Sequence, residues 1–162
     1  WNTLKKAIED AVNALVEYRK TEGAALEVKF REKISNISDL LASVNQYETA
    51  RVSKIKDRIK NALVEHVGAD YDTNRFEQEL IYYIEKLDIN EEKQRLTNHL
   101  DYFIKTIEDE KGQGKKLGFI AQEMGREINT LGSKSNLAEL QNIVVMMKDE
   151  LEQIKEQVLN VM

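Results

Sequence analysis

Residues 137–161 read LAELQNIVVMMKDELEQIKEQVLNV. Leu137, Leu140, Val144, Met147, Leu151, Ile154, Val158 and Val161 alternate three and four apart, the spacing of one apolar seam on a helix. A seam this regular predicts a helix packed along its whole length against one partner helix, in the same or another subunit. Asn136 with Glu139 three residues later has the spacing of a capping box, so the helix is expected to open there. The 162 residues contain no proline and seven glycines. Proline interrupts helix interiors, and its absence extends the helical reading to the whole chain. The fold class is therefore all-α: a multi-helix bundle of six helices with a long helical hairpin or coiled-coil arm.

Upstream, the same periodicity recurs. Leu117, Ile120, Met124, Ile128 and Leu131 share a helical face that ends near Gly132. KGQGKK (111–116) reads as a basic loop. Leu96, Leu100, Phe103, Ile104 and Ile107 form the apolar side of a helix that Asp88 and Glu91 open at capping-box spacing. Phe76, Leu80, Tyr83, Ile84 and Leu87 line the helix before it, which the turn residues GADYDTN (68–74) cap. From Ala24 to about Val67, a stripe runs through Ile34, Ile37, Leu41, Val44, Val52, Ile55, Ile59 and Leu63. It suits an antiparallel hairpin or coiled-coil arm, bent near Ser43–Tyr47 where polar residues weaken it. Leu4, Ile8, Ala11, Val12, Leu15 and Tyr18 mark an opening helix that Gly23 is expected to break or kink. Two regions follow: a helical stalk or arm, 1–70, and a C-terminal helical domain, 71–162, carrying the polar residues. The chain opens on Trp1, in mid-helix, which suggests that an N-terminal domain of a longer protein is absent.

Composition narrows the chemistry. A third of the residues are charged, the net charge is −5, and there is no cysteine. The lack of thiols removes disulfides and thiolate metal sites, and fits a reducing cytoplasm. No apolar run approaches the roughly 20 residues of a membrane-crossing helix, so no membrane partner is expected. The acidic balance argues weakly against nucleic acid, but charge is uneven. Lys111, Lys115, Lys116, Arg126 and Lys134 outnumber Glu123 and Glu127 between residues 111 and 134. Two histidines, His66 and His99, exclude a multi-histidine zinc site within one chain. Tyr71, Tyr82, Tyr83 and Tyr102 are dispersed and read as core or interface residues, not as a stacking platform for bases.

Two polar clusters stand out. In NEEKQRLTNHLD, Glu92, Arg95 and His99 lie near one line of a helix, with Glu91 beside them. A histidine beside carboxylates can move a proton or bind a metal; the same spacing also makes a surface ion pair beside an interior histidine. In QEMGREINTLGSKSN (122–136), Glu123 and Glu127 are one turn apart and their carboxylates can converge on Mg²⁺ or Mn²⁺. Arg126 could grip a phosphate, or simply pair with Glu123. Past Gly132, a new helix N-terminus with Lys134 offers an anion site, although such caps are common.

RFEQEL, LDINEEKQRLTNHL, the run G-x-x-L-x-F-x-x-QEM-x-RE-x-NT-x-x-SKSN and the closing EQVLN together resemble the YicC/YloC family of bacterial stress-induced proteins, described as endoribonucleases. RKTEGAAL carries the likeness back to the first helix, though the last ninety or so residues are the specific part. The resemblance implies a helical stalk and C-terminal part following an α/β portion, assembly into ring-like hexamers, and metal-dependent RNA cleavage. By motif it points to Glu79, to Glu91, Glu92, Arg95 and His99, and to Gln122, Glu123, Arg126, Glu127, Asn129 and Lys134. The sequence departs from the family's pattern at Gly118, where Asp is usual, and at Gly125, where Asn is common.

The expectation is thus RNA phosphodiester hydrolysis by a homo-oligomer. Glu92, His99, Glu123 and Glu127 form the catalytic set, with Glu123, Glu127 and Glu92 holding Mg²⁺ or Mn²⁺. Arg95, Lys115, Lys116, Arg126, Asn129 and Lys134 bind RNA. A non-catalytic oligomerisation or RNA-binding module is the alternative.

Overall fold

The computed structural model describes residues 1–68, 72–109 and 113–161. Residues 69–71 of the expected turn, and Lys111 and Gly112 of the expected basic loop, lie outside the described residues, as does Tyr71. Among the described residues there are six α-helices and no strand: α1 (Asn2–Ser43), α2 (Glu48–Val67), α3 (Thr73–Lys86), α4 (Asn90–Glu108), α5 (Gly114–Lys134) and α6 (Ala138–Val158). A 3₁₀ turn, Val44–Tyr47, joins α1 to α2, at the bend the sequence places there.

Four helical segments share the core. The second half of α1 contributes Phe30, Ile34, Ile37 and Leu41, α4 Leu96, Leu100 and Phe103, and α5 and α6 their apolar stripes. Phe30 and Phe103 meet edge to face at 5.5 Å, a favoured aromatic geometry. Lys33 bridges to Glu150 at 3.1 Å and Arg31 to Glu108 at 3.1 Å, so polar pairs flank α1 on both neighbours. The α6 seam is buried as expected, but it serves two partners, α5 and α1. Ile143 is buried beside the three-four stripe, which widens it beyond a two-helix seam.

Two arms leave this bundle. The first is the N-terminal half of α1, exposed as far as residue 25 of the chain. Gly23 does not break it: α1 runs unbroken for 42 residues, about 63 Å at 1.5 Å per residue. A mid-helix glycine costs only about 1 kcal/mol, too little to end a helix with good formers on both sides. Nothing lies within 4 Å of the position a Gly23 Cβ would take. Gly23→Ala should therefore raise helicity by far-UV circular dichroism, and stabilise the arm by up to about 1 kcal/mol.

The second arm is the hairpin of α2 and α3. The expected hairpin of the long run thus closes onto α3, since α2 continues away from α1 and does not fold back on it. Asp72 caps α3, accepting from the Asn74 and Arg75 amides as the turn chemistry predicts. Neither expected capping box forms. Helix α4 begins after Ile89, with Asp88 accepting from the Asn90 side chain instead. Helix α6 begins after Leu137, and Gln141 Nε2 ties the joint by donating to the Gly132 and Ser135 carbonyls at 2.7 and 2.8 Å.

Where the hairpin meets the bundle, Glu48 accepts from Lys93 at 2.9 Å and from Arg51 at 3.2 Å. Arg51 is buried and also donates to the Leu87 carbonyl. Burial pushes the Glu48 carboxyl up, but the hydrogen bond from Lys93 and the charges of Arg51 and Lys93 outweigh it and hold it below the ordinary carboxylate value. A depressed folded pKa means stability that is present above the unfolded value and is lost as pH falls through the folded one. Glu48→Gln should cost about 1 kcal/mol at neutral pH and flatten the loss of stability below its ordinary 4.5, read from urea unfolding across pH.

Candidate functional site

Helices α4 and α5 run antiparallel, and their shared edge collects most of the expected site. Three pairings set the register. Lys134 Nζ donates to Glu92 Oε1 at 2.8 Å and to the Asp88 carbonyl at 2.9 Å. Arg95 Nη1 lies 4.0 Å from Glu127 Oε1. Lys116 Nζ stands 5.0 Å over the Tyr102 ring. Glu92, Arg95, His99 and Tyr102 are three, four and three residues apart, so they form one stripe on α4. On α5, Lys134, Glu127, Glu123 and Lys116 form the facing stripe, with His99 and Glu123 at matching register.

The two inner acids differ sharply. Glu92 is 4% exposed and its Oε1 is held by Lys134, while its Oε2 is buried without a partner among the described residues. Glu127 is 9% exposed and makes no hydrogen bond to a described residue; Arg95, also bound to Glu91, stands at the limit of ion pairing. Buried carboxylates are ordinarily hydrogen-bonded or closely paired. Glu92 keeps one buried oxygen without a partner, whereas Glu127 sits at the solvent edge, beside a half-exposed guanidinium, with no close protein partner among the described residues.

Outside the seam, Arg126 pairs with Glu123 at 2.9 Å and is mostly exposed, and Lys115, Gln122 and Asn129 are exposed on α5. His99 is half-buried between Leu96 and Leu100 positions on α4. Glu79 is not brought to the seam; it lines a cavity between α2 and α3. Cβ atoms at Gly118 and Gly125 would meet Val158 at 3.7 Å and Leu151 at 3.4 Å, so both positions look toward α6. Tyr82, Tyr83 and Tyr102 are exposed, which removes the core from the two expected placements, core or interface.

For a divalent cation, the chain offers two hard carboxylates one turn apart, Glu123 and Glu127, with Glu92 taken up by Lys134. Among the described residues no three His, Asp or Glu side chains gather as a cage. Glu123 is itself paired with Arg126, so an ion here would have at most one or two carboxylates, the number Mg²⁺ and Mn²⁺ take when phosphate oxygens and water complete the shell.

Sequence reasoning missed Arg51, whose only signal is Glu48 three residues before it, and read Asn136 only as a helix cap, whereas its Oδ1 is buried without a partner among the described residues. No helix among the described residues is long and apolar enough to cross a membrane.

Residues 44–162 match the family described as endoribonuclease YicC-like, C-terminal. A probable endoribonuclease YicC of Clostridioides difficile is 33% identical over 163 residues, covering 99% of this chain and 56% of that protein. Its counterpart in Haemophilus influenzae is 29% identical over 157 residues, 97% of this chain and 54% of the relative. The chain thus spans about half the length of the curated relatives it matches. With the α4–α5 seam and its motif residues inside the matched region, the chain belongs to the YicC-like endoribonuclease family.

Proposed function

We propose that this chain supplies the α4–α5 wall of an endoribonuclease site that hydrolyses RNA phosphodiester bonds. The observation that supports it most is Glu127, a largely buried acid without a hydrogen bond to a described residue, facing Arg95 across a seam open to solvent. In hydrolysis the water oxygen bonds to phosphorus, and the ester oxygen leaves with a proton. His99, one turn from Arg95, is placed to hand over or take up such a proton. Arg95, Arg126, Lys115 and Lys116 would bind phosphates, and Asn129 would add a neutral contact. Lys134 would orient Glu92, and reach RNA only on leaving it. Glu123 and Glu127 would carry Mg²⁺ or Mn²⁺, with Glu92 as a reserve ligand; when bound, the ion neutralises charge at phosphorus and acidifies water.

A second reading, a helical assembly module, is favoured by one feature. Trp1, Leu4, Ile8, Leu15 and Tyr18 are all exposed on the α1 arm, at the alternating spacing of a coiled-coil seam. We propose that a homo-oligomer, a hexamer by the family resemblance, covers this stripe, and that both roles coexist in a cytoplasmic protein. Single-stranded RNA incubated with the 162-residue chain and Mn²⁺ should give discrete fragments, lost on chelation. RNA left intact by this chain, in conditions where the C. difficile relative cleaves it, overturns the catalytic reading.

A further inference from the structure

A cavity of about 690 Å³ opens between α2 and α3, away from the seam. Its walls are apolar: Ile55, Ile59 and Leu63 from α2, Phe76 and Tyr83 from α3, and Leu87 at the α3 C-terminus. Its mouth is charged, with Arg58, Arg75 and Lys86 against Glu79 and Asp72. Asp72 keeps its charge as the α3 cap, so these side chains leave a surplus of one positive charge at the mouth, in a chain whose net charge is −5. One lining residue comes from elsewhere: Asn136, in the α5–α6 joint, whose Oδ1 is buried and unpartnered among the described residues.

These features converge on one kind of occupant. An apolar slot wants a flat or apolar body, the orphaned amide oxygen wants a hydrogen-bond donor on a polar edge, and the positive surplus at the mouth wants an anion beyond it. An aliphatic side chain satisfies only the first. An unpaired nucleobase on a ribose-phosphate strand satisfies all three: its face stacks on an aromatic ring, its edge pairs with an asparagine amide, and its phosphates remain at the mouth. The position suits RNA already lying on the seam. Leu87 adjoins Asp88, whose carbonyl accepts from Lys134, and Asn136 is two residues beyond Lys134.

We propose that the α2–α3 cavity is a base-reading subsite that takes one everted nucleobase of a single-stranded RNA held on the α4–α5 seam. It rests on the RNA-binding part of the proposed function. The test uses the 162-residue chain and a short oligoriboadenylate carrying one 2-aminopurine, beside a strand of equal length that is abasic throughout. Binding should quench 2-aminopurine fluorescence. Asn136→Ala and Tyr83→Ala should each weaken binding of the base-bearing strand about ten-fold, Tyr83→Phe should leave it unchanged, and the abasic strand should bind wild type and variants alike. The proposal is overturned if the abasic strand binds wild type as tightly as the base-bearing one, or if the variants lose no affinity. A loss of self-association in Tyr83→Ala, with RNA affinity intact, would assign the cavity to a second copy and overturn it too. Absence of binding by either strand would sink the RNA reading itself, which separates the two failures.

Discussion

Replacing Lys134 with Met should destabilise the protein by about 3–5 kcal/mol, the largest stability effect expected from any polar residue of the seam. Lys134 is the only cation within ion-pair reach of Glu92 among the described residues, and Glu92 is 4% exposed. Without it a carboxylate is left in a low-dielectric interior with neither oxygen paired among the described residues, since Oε2 already lacks a partner there. The Asp88 carbonyl loses its donor as well, at the joint where the α2–α3 hairpin meets α4. The double variant Glu92→Gln with Lys134→Met removes the stranded charge and should recover most of the loss in urea unfolding. A double variant as unstable as the single one would show that Lys134 acts through packing of its stem. Arg126→Met sets the scale: its pair with Glu123 lies in solvent, and removing it should change stability by less than about 1 kcal/mol.

That difference between Lys134 and Arg126 was not legible in the sequence. Both cations stand in one run with carboxylates nearby, and only the antiparallel register of α4 on α5 decides that Lys134 reaches Glu92 while Arg126 turns outward. What periodicity shows directly is which face of each helix is apolar, so α6, α5 and α4 were legible nearly to their ends. Periodicity does not show how many partners a face has. The α6 stripe reads as a two-helix seam, yet α1 and α5 divide it, because Ile143 broadens the buried face. Nor do local signals decide helix ends against tertiary forces. Asp88 and Asn136 have capping-box spacing, but Lys134 draws on the Asp88 carbonyl and Gln141 ties the loop before α6, so both helices start later. Gly23 has the opposite lesson: a breaker in a long run of good formers is carried along. The acids at 92, 123 and 127 were identifiable by residue type and spacing, whereas their ranking by burial and pairing required the packed α4–α5 pair.

That ranking yields the second large effect. Glu127→Gln should lower RNA cleavage by at least about a hundred-fold, the scale seen when one charged or hydrogen-bonding group is removed from a reacting phosphate or acyl centre. The same substitution should leave stability unchanged or raise it. Glu127 is 9% exposed and its nearest cation, a half-exposed Arg95, stands at 4.0 Å, so a neutral amide of equal size gives up only a weak ion pair and opens no cavity. Lost activity with retained or increased stability is what separates a group kept for chemistry from one kept for folding. Glu92→Gln should behave differently: with Lys134 left partnerless on one side, stability falls along with any change in cleavage. Cleavage rates and unfolding midpoints measured on the same preparations distinguish the two acids. Full cleavage by Glu127→Gln would remove it from the reaction and return the seam to an assembly contact.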